Sequence, residues 1–160
     1  MTDMLVKLYD LPEISSKENP LLQAGYRIFR PLRCELPKVA EFVKSEFDNE
    51  SWGQELQGAF EQLPPKLWIA VKDNQVVGFA CYDITAKGMF GPIGVHQAHQ
   101  GKGIAQVLMV KSLISLRELG HAYGIIGWVS SEAFYEKAVN AIAIPDSTPG
   151  IYANRVDSGA

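Results

Sequence analysis

The segment Val95-His96-Gln97-Ala98-His99-Gln100-Gly101-Lys102-Gly103-Ile104-Ala105 carries a predicted strand through a glycine-containing loop into a long predicted helix. Consecutive main-chain amides at a helix N-terminus present free N–H groups backed by the positive end of the helix dipole, and Gly101 and Gly103 place no Cβ in the way. Such a junction suits a phosphate or pyrophosphate. Spacing rejects two familiar phosphate loops. A dinucleotide fingerprint needs a small residue where Gln106 stands, and it opens a βαβ unit rather than following a meander. A Walker loop needs Gly-Lys followed by Ser or Thr, whereas Gly103 follows Lys102.

Other residues near this junction carry weaker signals. Pro92 falls inside the predicted strand from Met89 to Val95 and cannot donate a ladder hydrogen bond, so that strand is expected to bulge or run partly unpaired, with Gly91 and Gly94 permitting the bend. If it splays from its neighbour, main-chain groups of Ile93, Gly94 and Val95 can pair with an amide-bearing ligand as though it were another strand. His96 and His99 form an HxxH pair, but no Cys, Asp or Glu nearby completes a metal site, so they read as exposed loop residues and no metal is expected. Cys34 and Cys81 lack a CxxC or Cys/His spacing. Cys81 lies in an apolar strand and reads as a core thiol, and a reduced, cytoplasmic setting is the simplest fit.

These residues need a scaffold. Met4 to Leu8 reads as a short strand, Glu13 to Pro20 as a linker, and Tyr26 to Phe29 as another strand. Helical spacing marks amphipathic segments over Leu36 to Phe47 and Trp52 to Leu63. Leu67 to Val71 and Val76 to Ile84 flank a polar Asp73-Asn74-Gln75 turn as a β-hairpin, and Met89 to Val95 extends it to an antiparallel meander. The helix beginning at Ile104 has Lys111, Ser112, Ser115 and Glu118 on its predicted wet side, and Gly120 suits its stop. Tyr123 to Val129 reads as a buried strand, parallel to Met89 to Val95 across a helical crossover. A short helix over Glu132 to Ala138 and strands near Ala141 to Ile144 and Ile151 to Val156 complete the pattern.

The fold class is therefore α/β, a mixed, mostly antiparallel sheet with a splayed central parallel pair and about four helices. With 160 residues, 47% of them hydrophobic, the chain suits one domain over 1–160, with 1–24 as an N-terminal strand and linker packed on or near it. A net charge of −3 gives no basic excess for nucleic acid. No apolar run reaches the ~18 residues of a membrane span, and no signal-peptide core precedes Asp3 and Lys7.

Gln100-x-x-Gly103-x-Ala105 resembles the acyl-CoA pyrophosphate motif of the GNAT acetyltransferase superfamily. Tyr123-Gly124-Ile125-Ile126-Gly127-Trp128 is similar to the strand after the family's motif helix, and Phe134-Tyr135-Glu136-Lys137 to its tyrosine-containing helix. Order and spacing match from Leu67 to Ala141. The resemblance implies the GNAT acyl-CoA N-acyltransferase fold and acetyl-CoA as acyl donor. It places the pyrophosphate at Gln100, Gly101, Lys102, Gly103, Ile104 and Ala105, and pantetheine along Ile93, Gly94 and Val95. It also implies Tyr135 as the acid that protonates the departing thiolate.

Acetyl transfer to an amine further needs an oxyanion donor, for which main-chain N–H groups near Ile93 to Val95 are the candidates, and a base. Asp83, at the end of its strand, is the first choice for the base and lies on the substrate side, with Glu46, Asp48 and Glu50 as alternatives. Trp52 either walls the acceptor pocket or pins its segment to the sheet. From Glu41 to Gln62 the chain carries Glu41, Glu46, Asp48, Glu50, Glu55 and Glu61 against Lys44 alone, which favours a cationic amine if this region covers the site. The expectation is an N-acetyltransferase acting on a primary amine by direct attack. The alternative is a non-catalytic acyl-CoA-binding sensor or interaction domain, and a homodimer is left open.

Overall fold

The computed structural model describes residues 1–156; residues 157–160 of the expected domain lie outside them. In chain order the elements are β1 (Met4–Lys7), α1 (Ser15–Gln23), β2 (Arg27–Phe29), α2 (Leu36–Glu46), α3 (Glu50–Phe60), β3 (Leu67–Lys72), β4 (Gln75–Tyr82), β5 (Met89–Val95), α4 (Ile104–Glu118), β6 (Tyr123–Ile126), α5 (Glu132–Val139) and β7 (Ile142–Ala143). The strands form one seven-stranded sheet ordered β2-β3-β4-β5-β6-β1-β7. All neighbours pair antiparallel except β5 and β6, which are parallel and joined through α4.

Side chains on successive strand residues point to opposite faces, and the two faces bury different helices. On one, Val39, Phe42 and Val43 of α2 and Leu56, Ala59 and Phe60 of α3 pack on Leu67, Ile69, Phe79 and Cys81. On the other, α4 lays Val107, Leu108 and Leu113 against the face of Ala70, Ala80, Tyr82 and Val95. Asp73 and Asn74, the two residues between β3 and β4, take φ of 49° and 61°. Left-handed turn residues there match the twist of the strands they join, and Asp and Asn tolerate that region better than most side chains.

The expected bulge in β5 is present. Tyr82 faces Phe90 and Ala80 faces Ile93, so Gly91 and Pro92 together oppose the single residue Cys81. The splay is present too. β5 and β6 pair only at Met89 with Ile125 and Phe90 with Ile126, and the remainder of β5 runs on without β6 beside it.

Four expectations are corrected. The stretch Glu13 to Pro20 is not a linker: Glu13 Oε1 accepts from the Ser15 N–H at 2.8 Å and the chain enters α1, which raises the α-helices from about four to five. Glu18 of α1 pairs with Lys111 of α4 at 3.1 Å, and Leu21 is buried. Ser112 and Ser115 are buried rather than wet, because their hydroxyls donate to the α4 carbonyls of Leu108 and Lys111 at 2.8 and 2.9 Å. Ser115 Oγ also accepts from Arg30 Nη2 and Trp68 Nε1, each at 3.0 Å. The predicted buried strand to Val129 ends at Ile126, and Tyr123 is exposed. Finally, Ile151 to Val156 is no strand. Gly150–Asn154 forms a 3-10 turn, because the chain turns at Gly150, with φ of 60°, and the Tyr152 N–H donates back to the Pro149 carbonyl at 3.2 Å. The N-terminal strand is thus integral to the sheet, with Met4 and Val6 fully buried.

Candidate active site

The loop between β5 and α4 is built to leave donors free. Gly101 and Gly103 adopt φ of 78° and 90°, where any L side chain would be strained, and a Cβ on either would meet nothing within 4 Å. Among the described residues, the N–H groups of Gly101, Lys102, Gly103, Ile104 and Ala105 have no hydrogen-bond acceptor. Ile104 is fully buried and anchors the first turn of α4, so these amides are held in place by the core. Gln100 points back, not out: its Nε2 donates to the Val95 carbonyl at 3.0 Å and closes the loop on the end of β5. Lys102 is exposed beside them. Open space, free amides, a helix dipole and one lysine form a cradle that fits a pyrophosphate.

The strand before the cradle aims selected groups into the splay. His96 N–H donates to Val77 on β4 at 2.8 Å, and main-chain direction alternates along a strand, so the N–H groups of Ile93 and Val95 face the gap on the β6 side. Gly94 turns its polar groups toward β4, opposite Phe79, and the Phe47 ring lies where its Cβ would stand. The three residues expected to line a ligand thus divide: Ile93 and Val95 face the gap, while Gly94 admits Phe47.

At the splay, a cavity of about 820 Å³ opens, walled by α3, by Met89 to Ile93, by Ile126 to Trp128 and by Tyr135 and Tyr152. Tyr135 reaches it from α5. Its hydroxyl has no hydrogen-bond partner among the described residues, and burial raises its pKa, which keeps the phenol protonated at neutral pH. Trp52 lines the same cavity while packing on Phe47 and Phe79, with ring centroids 5.2 and 5.8 Å away, so wall and anchor are one residue.

Asp83 lies elsewhere. Its Oδ2 pairs with Lys66 Nζ at 2.6 Å, its Oδ1 accepts from the Gly88 N–H at 2.7 Å, and its side chain is 3% exposed. Burial alone would raise its pKa, but the Lys66 hydrogen bond, the Gly88 amide and the Lys66 and Lys87 charges outweigh that and lower it. The carboxylate clasps the β4–β5 turn and is absent from the cavity lining. The alternatives fare no better: Glu46 faces His96 Nε2 at 3.4 Å beyond the end of β5, and Asp48 and Glu50 are exposed outside the lining.

Among the described residues the acid that lines the cavity is Glu55, whose Oε1 accepts from Thr85 Oγ1 at 2.5 Å. Trp52 and Glu55 are three apart on α3 and so share a face, a spacing that could have singled Glu55 out of its acidic run. Trp128 and Tyr152 were also missed. They come from separate loops, and no local pattern joins them.

The histidines are not simple exposed loop residues. His99 Nδ1 meets the Tyr26 hydroxyl at 2.6 Å, and burial, then the charges of His96, Lys102 and Lys72, lower its pKa. His96 Nδ1 accepts from the Ala98 N–H at 3.0 Å, which caps the loop turn. Cys81 is fully buried, as expected, and burial pushes its thiol pKa far up. Among the described residues, no group of His, Cys, Asp and Glu is placed to hold a metal, and no helix is long and apolar enough to cross a membrane.

Comparison with curated proteins finds no match. Solved structures do match in fold. A GCN5-related glucosamine N-acetyltransferase region of a fungal multi-domain GH3 β-N-acetylglucosaminidase superposes with a TM-score of 0.73 at 17% identity, over 89% of this chain and 19% of that one. A GCN5-related N-acetyltransferase from Sphaerobacter thermophilus gives 0.67 at 18% identity, over 89% and 48%. A GNAT family acetyltransferase from Brucella melitensis, solved in complex with acetyl-CoA, gives 0.55 at 20%, over 75% and 87%. The chain therefore spans about a fifth and about half of the first two proteins. The acetyltransferase (GNAT) family model matches residues 33–140, a span that holds the cradle, the splayed strands and the tyrosine helix, and the chain belongs to that family.

Proposed function

We propose that this protein transfers an acetyl group from acetyl-CoA to a primary amine by direct attack. The observation that carries the reading is that one splay joins the donor-rich cradle at Gly101–Ala105 to a cavity containing an unpartnered tyrosine hydroxyl. The Gly101, Lys102, Gly103, Ile104 and Ala105 amides would hold the pyrophosphate, and Ile93 and Val95 would pair with the pantetheine amides as a missing strand. The thioester supplies the activated acyl group. Around it, a main-chain N–H of the bulged strand stabilises oxyanion charge, and the Tyr135 hydroxyl, kept protonated by burial, gives its proton to the thiolate.

In this reading Asp83 holds a turn, and the carboxylate open to an acceptor is Glu55, which takes the proton the amine gives up so that the neutral nitrogen forms the C–N bond as the C–S bond breaks. The test is release of free CoA from acetyl-CoA in the presence of a panel of primary amines. Amine-dependent release supports transfer. Saturable acetyl-CoA binding with no release across the panel would favour a sensor instead.

A further inference from the structure

Resting on the acyl-transfer reading, we infer that the acceptor is a monocationic amine with a flat aromatic body, whose ammonium is received by Glu55 and whose ring lies against Trp128 and Tyr152.

Glu55 is half-buried in the cavity and forms no ion pair among the described residues. Among the described residues its one side-chain hydrogen bond is from Thr85, to Oε1. Its charge acts on the cavity wall, since the Tyr152 pKa is raised by burial first and by Glu55 second. Arg155 and Met1 share the lining, but no described cation stands within ion-pairing distance of Glu55, and a half-buried carboxylate left unpaired in this way favours a cationic group placed against it. Of the six acids between Glu41 and Gln62, this is the one aimed at the splay; Glu41 and Glu46 line a separate cavity beside His96.

The aromatic wall is tied to the N-terminal end of the sheet through Trp128. The Trp128 N–H donates to Asp3 Oδ1 at 3.0 Å, its indole N–H to the Pro149 carbonyl at 3.3 Å, and its ring lies 4.3 Å from that of Tyr152. Asp3 is itself buried in the sheet extension, where its N–H donates to Ser147 Oγ at 2.8 Å. Aromatic faces attract an ammonium and stack on a flat ring, and a wall tied in this way loses less freedom when a ligand arrives.

A second cation is disfavoured. Arg155 lines the same cavity, 6.0 Å from the Tyr152 ring centre, so a polyamine or a lysine-rich peptide would bring a second positive charge toward a guanidinium, with Glu55 the one carboxylate among the described lining residues.

The test compares 2-phenylethylamine, n-butylamine, glucosamine and spermidine as acceptors, by CoA release and, separately from turnover, by quenching of tryptophan fluorescence. Phenylethylamine is expected to exceed the others in kcat/KM by about tenfold or more. Glu55→Gln, which retains an acceptor for Thr85, is expected to raise KM for phenylethylamine about tenfold while acetyl-CoA binding stays unchanged. Trp128→Leu should reduce the phenylethylamine preference over butylamine. Phenylethylamine that quenches the wild type saturably but not Glu55→Gln, with no CoA released by any amine, keeps the amine site and refutes transfer. A preference for spermidine or glucosamine, an unchanged KM in Glu55→Gln, or neither quenching nor turnover with phenylethylamine overturns the inference.

Discussion

Asp83→Asn separates a turn clasp from a catalytic base. The carboxylate is 3% exposed and engages Lys66 at 2.6 Å and the Gly88 N–H at 2.7 Å, so removing its charge leaves a nearly buried ammonium without its partner. Breaking a buried pair in this way costs about 3–5 kcal/mol. Two features reduce that here: the Lys66 side chain is 14% exposed and can reach water, and Asn retains an oxygen for Gly88. A loss of about 2–3 kcal/mol follows, which for a chain of this size lowers Tm by roughly 4–12 °C. The pH dependence has a definite sign. Because the folded-state pKa is lowered, the contribution is complete above the ordinary carboxylate value and is lost as pH falls through the folded-state value. The wild-type advantage over Asp83→Asn should therefore shrink in acid and persist at neutral pH. The assay is a thermal melt of both proteins across pH, with kcat measured well below both midpoints. An unchanged Tm together with a kcat loss of about a hundredfold or more would make Asp83 a base and refute the clasp.

Other outcomes follow from the same geometry. Tyr135→Phe should lower kcat by about tenfold to a hundredfold and leave acetyl-CoA affinity nearly intact; equal kcat would remove the hydroxyl from acid duty. Gly94→Ala should cost about 1–3 kcal/mol, because the new methyl falls on the Phe47 ring, and a melt shows it. Gly53→Ala is its counterpart: within α3, with nothing inside 4 Å of the added Cβ, it should gain about 0.5–1 kcal/mol. Acetyl-CoA at a hundred times its Kd should stabilise the protein by about 2.7 kcal/mol in the same melts.

Much of the fold was legible because its signals are local. Alternation and a polar turn mark the β3–β4 hairpin, Pro92 marks the bulge, and the glycines mark the left-handed entry to α4. The misreadings share a cause. Ser112 and Ser115 look polar in sequence, but their hydroxyls are satisfied by the turn before them, so α4 can bury them. Glu13 to Pro20 has the composition of a linker, yet a Glu13–Ser15 hydrogen bond at the helix start and a Glu18–Lys111 pair fold it against α4. The site divides in the same way. The glycine loop is contiguous in sequence, and its left-handed turns are legible from Gly101 and Gly103. The cavity is assembled from α3, the turn after β6 and the C-terminal 3-10 turn, which no local pattern joins, and its lining includes Glu55 but not Asp83.

The proposed transfer requires main-chain amides at Gly101 to Ala105 to hold the diphosphate of an acyl-CoA. Isothermal titration of acetyl-CoA, beside acetyl-pantetheine, which lacks that group, tests it most directly. Saturable one-site binding of acetyl-CoA is expected, with far weaker binding of acetyl-pantetheine and loss of acetyl-CoA binding in Gly103→Val, whose side chain would fill the open cradle. Equal affinity for the two thioesters, or wild-type affinity in Gly103→Val, would contradict it.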